Sequence, residues 1–168
     1  ANFNGRAFML PNEWLSPDVL QLYTDASTSI GYGAVMGNSW LMGSCPTRCK
    51  SLNIAVLELY PIVVATIVWA QRLANKRIVI HTDNQALVHV LNTVSSKDEA
   101  IMKLLRHFVF TAMRNNTVYK AIHVPGIYNN RADALSRSRL QEFRRLAPNA
   151  DVLPMEIPAH LAPEALFA

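Results

Sequence analysis

Short apolar segments with a two-residue period occupy the first part of the chain. Residues 19–26, 31–36 and 39–44 each have the pattern of a β-strand, and Gly37-Asn38 between the last two is a tight-turn signal. The first of these segments ends in a carboxylate. The pattern predicts three short antiparallel strands in a meander.

Longer apolar stretches with helical spacing follow, and they alternate with two further strands. Asn53 can cap the first helix, inside which Pro61 is expected to produce a kink, and Ser95 or Ser96 can cap the third. The predicted elements are a helix at 53–75, a strand at 77–83, helices at 84–92 and 97–115, a strand at 117–124, a turn at Pro125-Gly126 and a basic helix at 131–146. This order predicts an α/β fold: a mixed five-stranded sheet, the meander plus two parallel strands, with helices on both faces.

The periodic region lies between two irregular segments. Residues 1–18 have no periodicity and are predicted to be a linker or lead-in, whereas 147–168 contain four prolines and are predicted to be an extended tail. The chain of 168 residues therefore predicts one domain, at 19–146.

Composition narrows the class of protein. Hydrophobic residues make up 51% and charged residues 17%, which excludes a disordered or collagen-like chain. The net charge of +4 favours an anionic partner such as nucleic acid. The two cysteines, Cys45 and Cys49, are too few for a disulfide scaffold, and free thiols in a reducing compartment are expected.

No segment suggests a membrane or a secretory route. The longest apolar run, 59–70, has about half the length that a transmembrane helix needs, which is about 20 residues. The amino end lacks a charged segment followed by an apolar one, so no signal peptide is recognised. We therefore expect an intracellular protein, in the cytoplasm or the nucleus, that is not secreted.

Four acidic residues stand at places where chemistry is expected. Asp25 ends the first strand, Glu58 lies early in the long helix, Asp83 ends the fourth strand and Asp133 opens the basic helix. Each alone is typical of a turn former or a helix cap. Together they predict a converging set, because two of them end apolar strands that should lie centrally. Such carboxylates repel one another unless hard cations such as Mg²⁺ or Mn²⁺ bind them, and two ions about 4 Å apart can promote phosphoryl displacement.

Four segments resemble the ribonuclease H domain of retroelement reverse transcriptases. They are LYTDAS, VLELY, HTDN and HVPGIYNNRADALSR, and the last is most like the motifs of gypsy-like and DIRS-like elements. The resemblance covers roughly residues 19–146. It implies endonucleolytic hydrolysis of the RNA strand of an RNA/DNA hybrid, with 5′-phosphate and 3′-hydroxyl ends.

The same resemblance implies roles for individual residues. Asp25 matches the ligand that bridges two Mg²⁺ or Mn²⁺ ions, Glu58 and Asp83 match ligands of the ion on the leaving-group side, and Asp133 matches a ligand of the ion that activates water. His123 matches a mobile histidine that assists product release or proton transfer. A polymerase domain in the same polyprotein is the implied protein partner.

Several polar residues near these positions are candidates for contact with the hybrid. They are Ser27, Asn53, Asn84, Asn129, Arg131 and Arg137. Asn53 and Asn84 can instead be helix caps, Asn129 matches an asparagine that orders the turn before the last helix, and the arginines can belong to a solvated basic face. His81, one strand period from Asp83, is expected to pack in the interior.

Two features limit what the resemblance implies. Only a few residues separate the helices at 84–92 and 97–115, so a basic handle helix is missing, and Pro61 lies close to Glu58.

The alternatives to a ribonuclease H are a catalytically silent nucleic-acid-binding or scaffold module of the same fold, or another nuclease of that fold, such as an integrase or a resolvase.

Overall fold

A single five-stranded sheet organises the molecule. The computed structural model describes residues 14–45 and 51–166. The strands are β1 (Leu20–Ala26), β2 (Gly31–Met36), β3 (Ser39–Ser44), β4 (Arg77–Thr82) and β5 (Val118–His123). Their order is β3-β2-β1-β4-β5; β1, β2 and β3 are antiparallel neighbours, while β4 is parallel to both β1 and β5. The predicted meander plus two parallel strands is confirmed.

Helices cover both faces of this sheet. They are α1 (Ile54–Val68), α2 (Ala70–Leu73), α3 (Gln85–Thr93), α4 (Glu99–Arg114), α5 (Asn130–Ser136), α6 (Leu140–Leu146) and α7 (Pro163–Leu166), with 3₁₀ turns at Gly126–Tyr128 and Ala159–Leu161. Alternate residues of the strands face opposite sides. Leu22 and Ala34 pack in the larger core with α1, α3 and α4, whereas Val35 and Trp40 pack with Leu135 and Phe143 on the other side.

The predicted helix at 53–75 is two helices rather than one. Helix α1 continues past Pro61, and the interruption falls at Trp69, whose φ and ψ of −98° and 15° are not helical. The start of α4 also differs from the expectation. Asp98, not Ser95 or Ser96, is its cap, because the Asp98 carboxylate accepts hydrogen bonds from the amides of Ala100 and Ile101.

The predicted basic helix at 131–146 is likewise divided. Helix α5 ends at Ser136 and α6 begins at Leu140, because Ser138 between them has a left-handed backbone with φ of 57°. The arginines therefore do not lie on a single helix. Arg144, for example, donates to the carbonyls of Asp151 and Val152 and lies over the Trp40 ring.

The segment after Ala147 has more partners than an extended tail. The indole Nε1 of Trp40 donates to the Asp151 carbonyl at 2.8 Å, and the Tyr60 hydroxyl donates to the Leu161 carbonyl at 2.6 Å. Leu161 and Leu166 are buried in the larger core. This segment therefore contributes to the packing of both faces.

Parts of the remaining expectations fall outside the described ranges. Most of the predicted lead-in, residues 1–13, lies there, as does Cys49. Trp14, where the description begins, is contacted by the Lys120 ammonium 4.8 Å from its ring centre. None of the helices within 14–45 and 51–166 has the length and apolar character that crossing a membrane requires.

Candidate active site

Three carboxylates from separate parts of the chain meet at one edge of the sheet. Asp25 lies on β1 and Asp83 directly follows β4, and these strands are parallel neighbours, so their carboxyl ends lie side by side. Glu58 joins them from the second turn of α1, which packs on β1 and β2. One ligand oxygen from each residue lies within 4.8 Å of the other two.

Burial makes this cluster electrostatically costly. Asp25 and Glu58 are 6% and 5% exposed, while Asp83 opens to solvent. The Oε2 atom of Glu58 is buried and has no hydrogen-bond partner within the described structure. An unsatisfied buried carboxylate oxygen is destabilising, and a ligand that fills the cluster would remove that cost.

The pKa values of the two buried acids reflect this environment. Burial, the largest cause, together with the charges of Asp25 and Asp83 raises the pKa of Glu58 to about 9. Burial also raises the pKa of Asp25 to about 6, against a lowering by a hydrogen bond from Ser136. At neutral pH without a cation, Glu58 therefore holds a proton.

The donor set fits a hard divalent cation. All three residues supply carboxylate oxygens, which Mg²⁺ and Mn²⁺ prefer, and Asp83 leaves one side open to water and substrate. A cation would give the orphaned Glu58 oxygen a partner and offset the repulsion that adds to burial in raising both pKa values.

Asp133 lies outside the group of three. Its Oδ1 accepts a hydrogen bond from Arg137 Nε at 2.6 Å, one helical turn further along. Its charge still contributes to raising the pKa of Asp25, so the two are electrostatically coupled. Of the four acids that the sequence predicted to converge, three do so and the fourth is paired with an arginine beside them.

Helix α5 reaches the cluster through a close approach to β2. Gly33 is the direct partner of Asp25 in the β1–β2 ladder, and a Cβ on Gly33 would lie 2.4 Å from Leu135 Cβ. The absence of that Cβ lets α5 pack against the sheet. Ser136 on this helix is fully buried and donates a hydrogen bond to Asp25 Oδ2. Sequence reasoning missed Ser136, although it stands three residues after Asp133 and thus on the same side of the helix.

Comparisons with known proteins give the architecture a name. No family model matches the chain, and no curated protein sequence does. Several solved structures match its fold. The RNase H1 of the halophilic archaeon Halobacterium salinarum has a TM-score of 0.59 at 18% identity, over 74% of this chain and 98% of that one. The chain has the ribonuclease H fold.

Two other structures agree with this assignment. The amino-terminal RNase H domain of a Mycobacterium tuberculosis protein, fused to maltose-binding protein, has a TM-score of 0.56 at 16% identity, over 77% of this chain and 98% of that one. LC11-RNase H1 in complex with an RNA/DNA hybrid has a TM-score of 0.54 at 15% identity, over 73% of this chain and 98% of that one. In this ribonuclease H fold the acidic cluster lies at the carboxyl ends of the parallel strands, where ligand sites of such sheets occur.

The turn after β5 borders the acidic cluster. His123 ends β5 exposed to solvent, beside Thr82 of β4. A Cβ on Gly126 would lie 3.7 Å from Asp83 Oδ2. Asn129 anchors the turn, since its Nδ2 donates to the Thr24 carbonyl at 2.8 Å. At 2% exposure the Asn129 side chain has almost no surface for a nucleic acid, so the structure gives it the turn-ordering role and not the expected contact.

The two other candidate asparagines act as helix caps. Asn53 Oδ1 accepts from the Ala55 amide at 3.0 Å at the start of α1, and Asn84 Oδ1 accepts from the Leu87 amide at 3.1 Å at the start of α3. Ser27 is half-buried in the loop after β1, and its amide donates to the Gly31 carbonyl. Capping and loop bonds leave part of each side chain at the surface.

The remaining candidates lie on the α5 side of the sheet. The Arg131 guanidinium lies 5.5 Å from the Tyr23 ring centre, and Arg137 pairs with Asp133. His81 stacks on Tyr23 at 4.1 Å between ring centres, and its Nε2 lies 2.7 Å from Gln21 Oε1. Burial lowers the pKa of His81 to about 4. His81 therefore packs in the interior, as predicted.

Proposed function

We propose that this chain is a metal-dependent endonuclease that hydrolyses the RNA strand of RNA/DNA hybrids. The observation that carries the proposal is the cluster of Asp25, Glu58 and Asp83, with an orphaned Glu58 oxygen, at the ligand edge of a ribonuclease H fold. The products would have 5′-phosphate and 3′-hydroxyl ends. One structural neighbour is an RNase H1 in complex with an RNA/DNA hybrid, which supports this choice of substrate.

The proposed site holds two divalent ions, Mg²⁺ or Mn²⁺, through Asp25, Glu58, Asp83 and Asp133. When bound, such ions lower the pKa of a water and stabilise the charge on the leaving oxygen. The protein contributes the rest. Glu58 would give up its proton to the solvent on becoming a ligand, Ser136 holds Asp25 in place, and Asp133 would leave its Arg137 partner to join the site. His123, exposed beside Thr82, would assist product release or proton transfer.

The hybrid would lie across the edge of the sheet that carries the acids. Ser27, Asn53 and Asn84 stand at the starts of loops and helices there and would contact the sugar and phosphate groups. Arg131 and Arg137 would neutralise phosphates, so affinity should fall as salt rises. Because the basic handle helix is missing, we further propose that the chain works inside the cell beside the polymerase domain of a retroelement reverse transcriptase, in the same polyprotein.

A gel assay with a labelled RNA/DNA hybrid and Mg²⁺ tests this function. Asp83→Asn should lower the cleavage rate by roughly two orders of magnitude or more, since it removes a ligand charge. The matched control is Glu156→Gln, which neutralises an exposed acid in the carboxyl-terminal segment and should cut like the wild type. If the wild type cuts no faster than Asp83→Asn, the proposal fails. Preferential cutting of duplex DNA would instead indicate an integrase-like or resolvase-like nuclease.

The Asp133–Arg137 ion pair favours a second candidate function. With its fourth acid neutralised by an arginine, the chain could be a silent module that binds hybrids without cutting them. That function predicts hybrid binding that EDTA does not change and no cleavage in Mn²⁺. The nuclease proposal predicts the opposite in both assays.

A further inference from the structure

The turn after β5 presents two large side chains to solvent next to the acidic cluster. Ile127 is 73% exposed and Tyr128 is 69% exposed, although both belong to the 3₁₀ turn that borders Asp83. Single exposed apolar residues are common on protein surfaces. Two in succession beside a charged site are a more specific feature, because a solvated acidic edge would more readily carry polar side chains.

The backbone that carries these side chains is held firmly. The Tyr128 amide donates to the Pro125 carbonyl at 2.8 Å, and the Asn129 amide donates to the Gly126 carbonyl at 3.0 Å. The buried Asn129 side chain then ties the turn to the Thr24 carbonyl of β1, one residue before Asp25. The turn is therefore coupled directly to the strand that supplies a site acid.

The position of the turn puts both side chains within reach of a polymer bound at the acids. A Cβ on Gly126 would be 3.7 Å from Asp83 Oδ2, and Ile127 and Tyr128 are the next two residues. Consecutive Cα atoms are about 3.8 Å apart, and a tyrosine side chain extends further than that. A nucleic acid whose phosphate meets the acids must therefore pass close to this turn.

We propose that Ile127 and Tyr128 form an apolar lip that packs against sugar rings of the bound nucleic acid. The inference rests on the proposed function, which places an RNA/DNA hybrid at the acidic cluster. RNA-containing helices have a wide and shallow minor groove in which sugars are accessible, and apolar ring faces of the protein can cover them. The lip would thereby supply part of the affinity that a missing basic handle helix does not.

Binding and cleavage measured on the same variants test the lip. A fluorescent RNA/DNA hybrid is titrated in Ca²⁺, with intact substrate verified on a gel, and anisotropy gives Kd. Tyr128→Ala and Ile127→Ser should each weaken binding roughly five- to twentyfold. In Mg²⁺ the same variants should raise KM while kcat changes little, because the lip contacts substrate away from the reacting phosphate.

Two matched variants show whether a loss of hybrid affinity comes from apolar packing by Ile127 and Tyr128. Val152→Ser removes an apolar side chain that is 83% exposed and lies outside the turn after β5. The Kd of this variant for the hybrid should stay within about twofold of the wild type. Tyr128→Phe keeps the ring and should also stay within about twofold. If Tyr128→Phe loses as much affinity as Tyr128→Ala, the hydroxyl makes the contact and apolar packing is wrong. Melting curves verify that each variant is folded.

The outcomes distinguish the lip from the function on which it rests. If the wild type cleaves the hybrid, Asp83→Asn does not, and the lip variants retain wild-type Kd and KM, the lip is wrong and the nuclease function stands. If the wild type neither binds nor cleaves the hybrid, both are wrong.

Discussion

Glu58 illustrates at the level of one residue how this site departs from the rules of a stable core. A carboxylate that is 5% exposed normally has its oxygens hydrogen-bonded, yet Oε2 has no partner in the described part of the chain. The side chain is kept neutral by its surroundings, which raise its pKa to about 9. Such a group weakens the free fold, and its Oε2 atom would gain a partner when a cation binds, which is the behaviour of a ligand-binding residue.

Ser136 offers a residue-scale prediction about metal affinity. Its hydroxyl donates to Asp25 Oδ2 and lowers the pKa of that acid against the effect of burial. In Ser136→Ala the pKa of Asp25 should therefore rise above about 6, and protons should compete better with cations. Mn²⁺ titration by calorimetry should give a Kd about tenfold weaker than that of the wild type at pH 6, with a smaller difference at pH 8.

Ser95→Ala is the control for this prediction, because Ser95 is exposed in the loop between α3 and α4. Its Mn²⁺ affinity should match the wild type at both pH values. An equal loss for Ser136→Ala at pH 6 and pH 8 would show that the hydroxyl acts on the shape of the site and not on the proton affinity of Asp25.

The positions of Asp25, Glu58 and Asp83 could be predicted from the sequence because strand ends and helix starts are local features. The hydrogen-bond partners of these site residues could not be predicted in the same way. Ser136 lies inside the predicted helix at 131–146, and only its burial against Asp25 reveals its role. The capping roles of Asn53 and Asn84 followed from local chemistry, and the Arg137 pairing of Asp133 has the i,i+4 spacing of helix neighbours, so it was also open to prediction.

At the scale of elements, the distance between α5 and the sheet determines whether Asp133 and Ser136 of this helix reach the acidic cluster. Helix α5 contacts β1 and β2 directly, over the point where Gly33 pairs with Asp25. Any side chain at position 33 would meet Leu135 and the backbone of Ala132 and Ser136. Because Gly33 of β2 has no Cβ, α5 can bring both Asp133 and Ser136 close to the acidic cluster.

Gly33→Ala should push α5 away from the sheet. The added Cβ would start 2.4 Å from Leu135 Cβ, and overpacking of this kind costs about 1–3 kcal/mol. For a chain of this size the midpoint of thermal unfolding should fall by several degrees, and hybrid cleavage should fall as well. The measurements are a melting curve and the gel assay.

Gly37→Asn is the matched change for that test. Gly37 has a φ of 62° with open space around its Cβ position, and asparagine tolerates that backbone, so stability and activity should change little. If Gly33→Ala melts and cuts like Gly37→Asn, then α5 does not depend on its close approach at position 33.

The elements differ in how well the sequence specified them. The bounds of β2 and β3 were predicted without error, because short apolar segments joined by a Gly37-Asn38 turn are a local signal. The breaks at Trp69 and Ser138 were missed, because neither residue is a typical helix terminator. The sequence analysis therefore predicted one basic helix at 131–146 where the fold has two.

At the scale of the whole molecule, contacts between distant segments complete both faces of the sheet. Trp40 and Asp151 are 111 residues apart, and Tyr60 and Leu161 are 101 apart. The prolines of the last segment suggested an extended tail, since proline content is a local property. Its docking depends on side chains presented by β3 and α1, which no pattern within the segment reveals.

The acidic cluster also sets how the stability of the whole molecule depends on pH. Glu58 has a folded pKa of about 9 against an ordinary value of 4.5, so between these values the folded state binds a proton that the unfolded state has lost. The contribution of Glu58 to the free energy of unfolding is fully present below pH 4.5 and is lost as the pH rises through 9. The clearest window is pH 7 to 9, where His81, with a pKa lowered to about 4, is neutral in the folded state.

In metal-free buffer, the free energy of unfolding should therefore fall from pH 7 to pH 9 by up to about 1.4 kcal/mol per pH unit. Mg²⁺ at saturating concentration should flatten this slope, because the cation replaces the proton as the partner of Glu58, and it should stabilise the protein most at pH 9. Glu58→Gln, which has no proton to lose, should be flat with or without Mg²⁺. Urea melts of both proteins at pH 7, 8 and 9, in EDTA and in Mg²⁺, measure the four slopes. A wild-type slope in EDTA equal to that of Glu58→Gln would mean that Glu58 is not held neutral among the acids, and the metal site inferred from its orphaned oxygen would lose its main support.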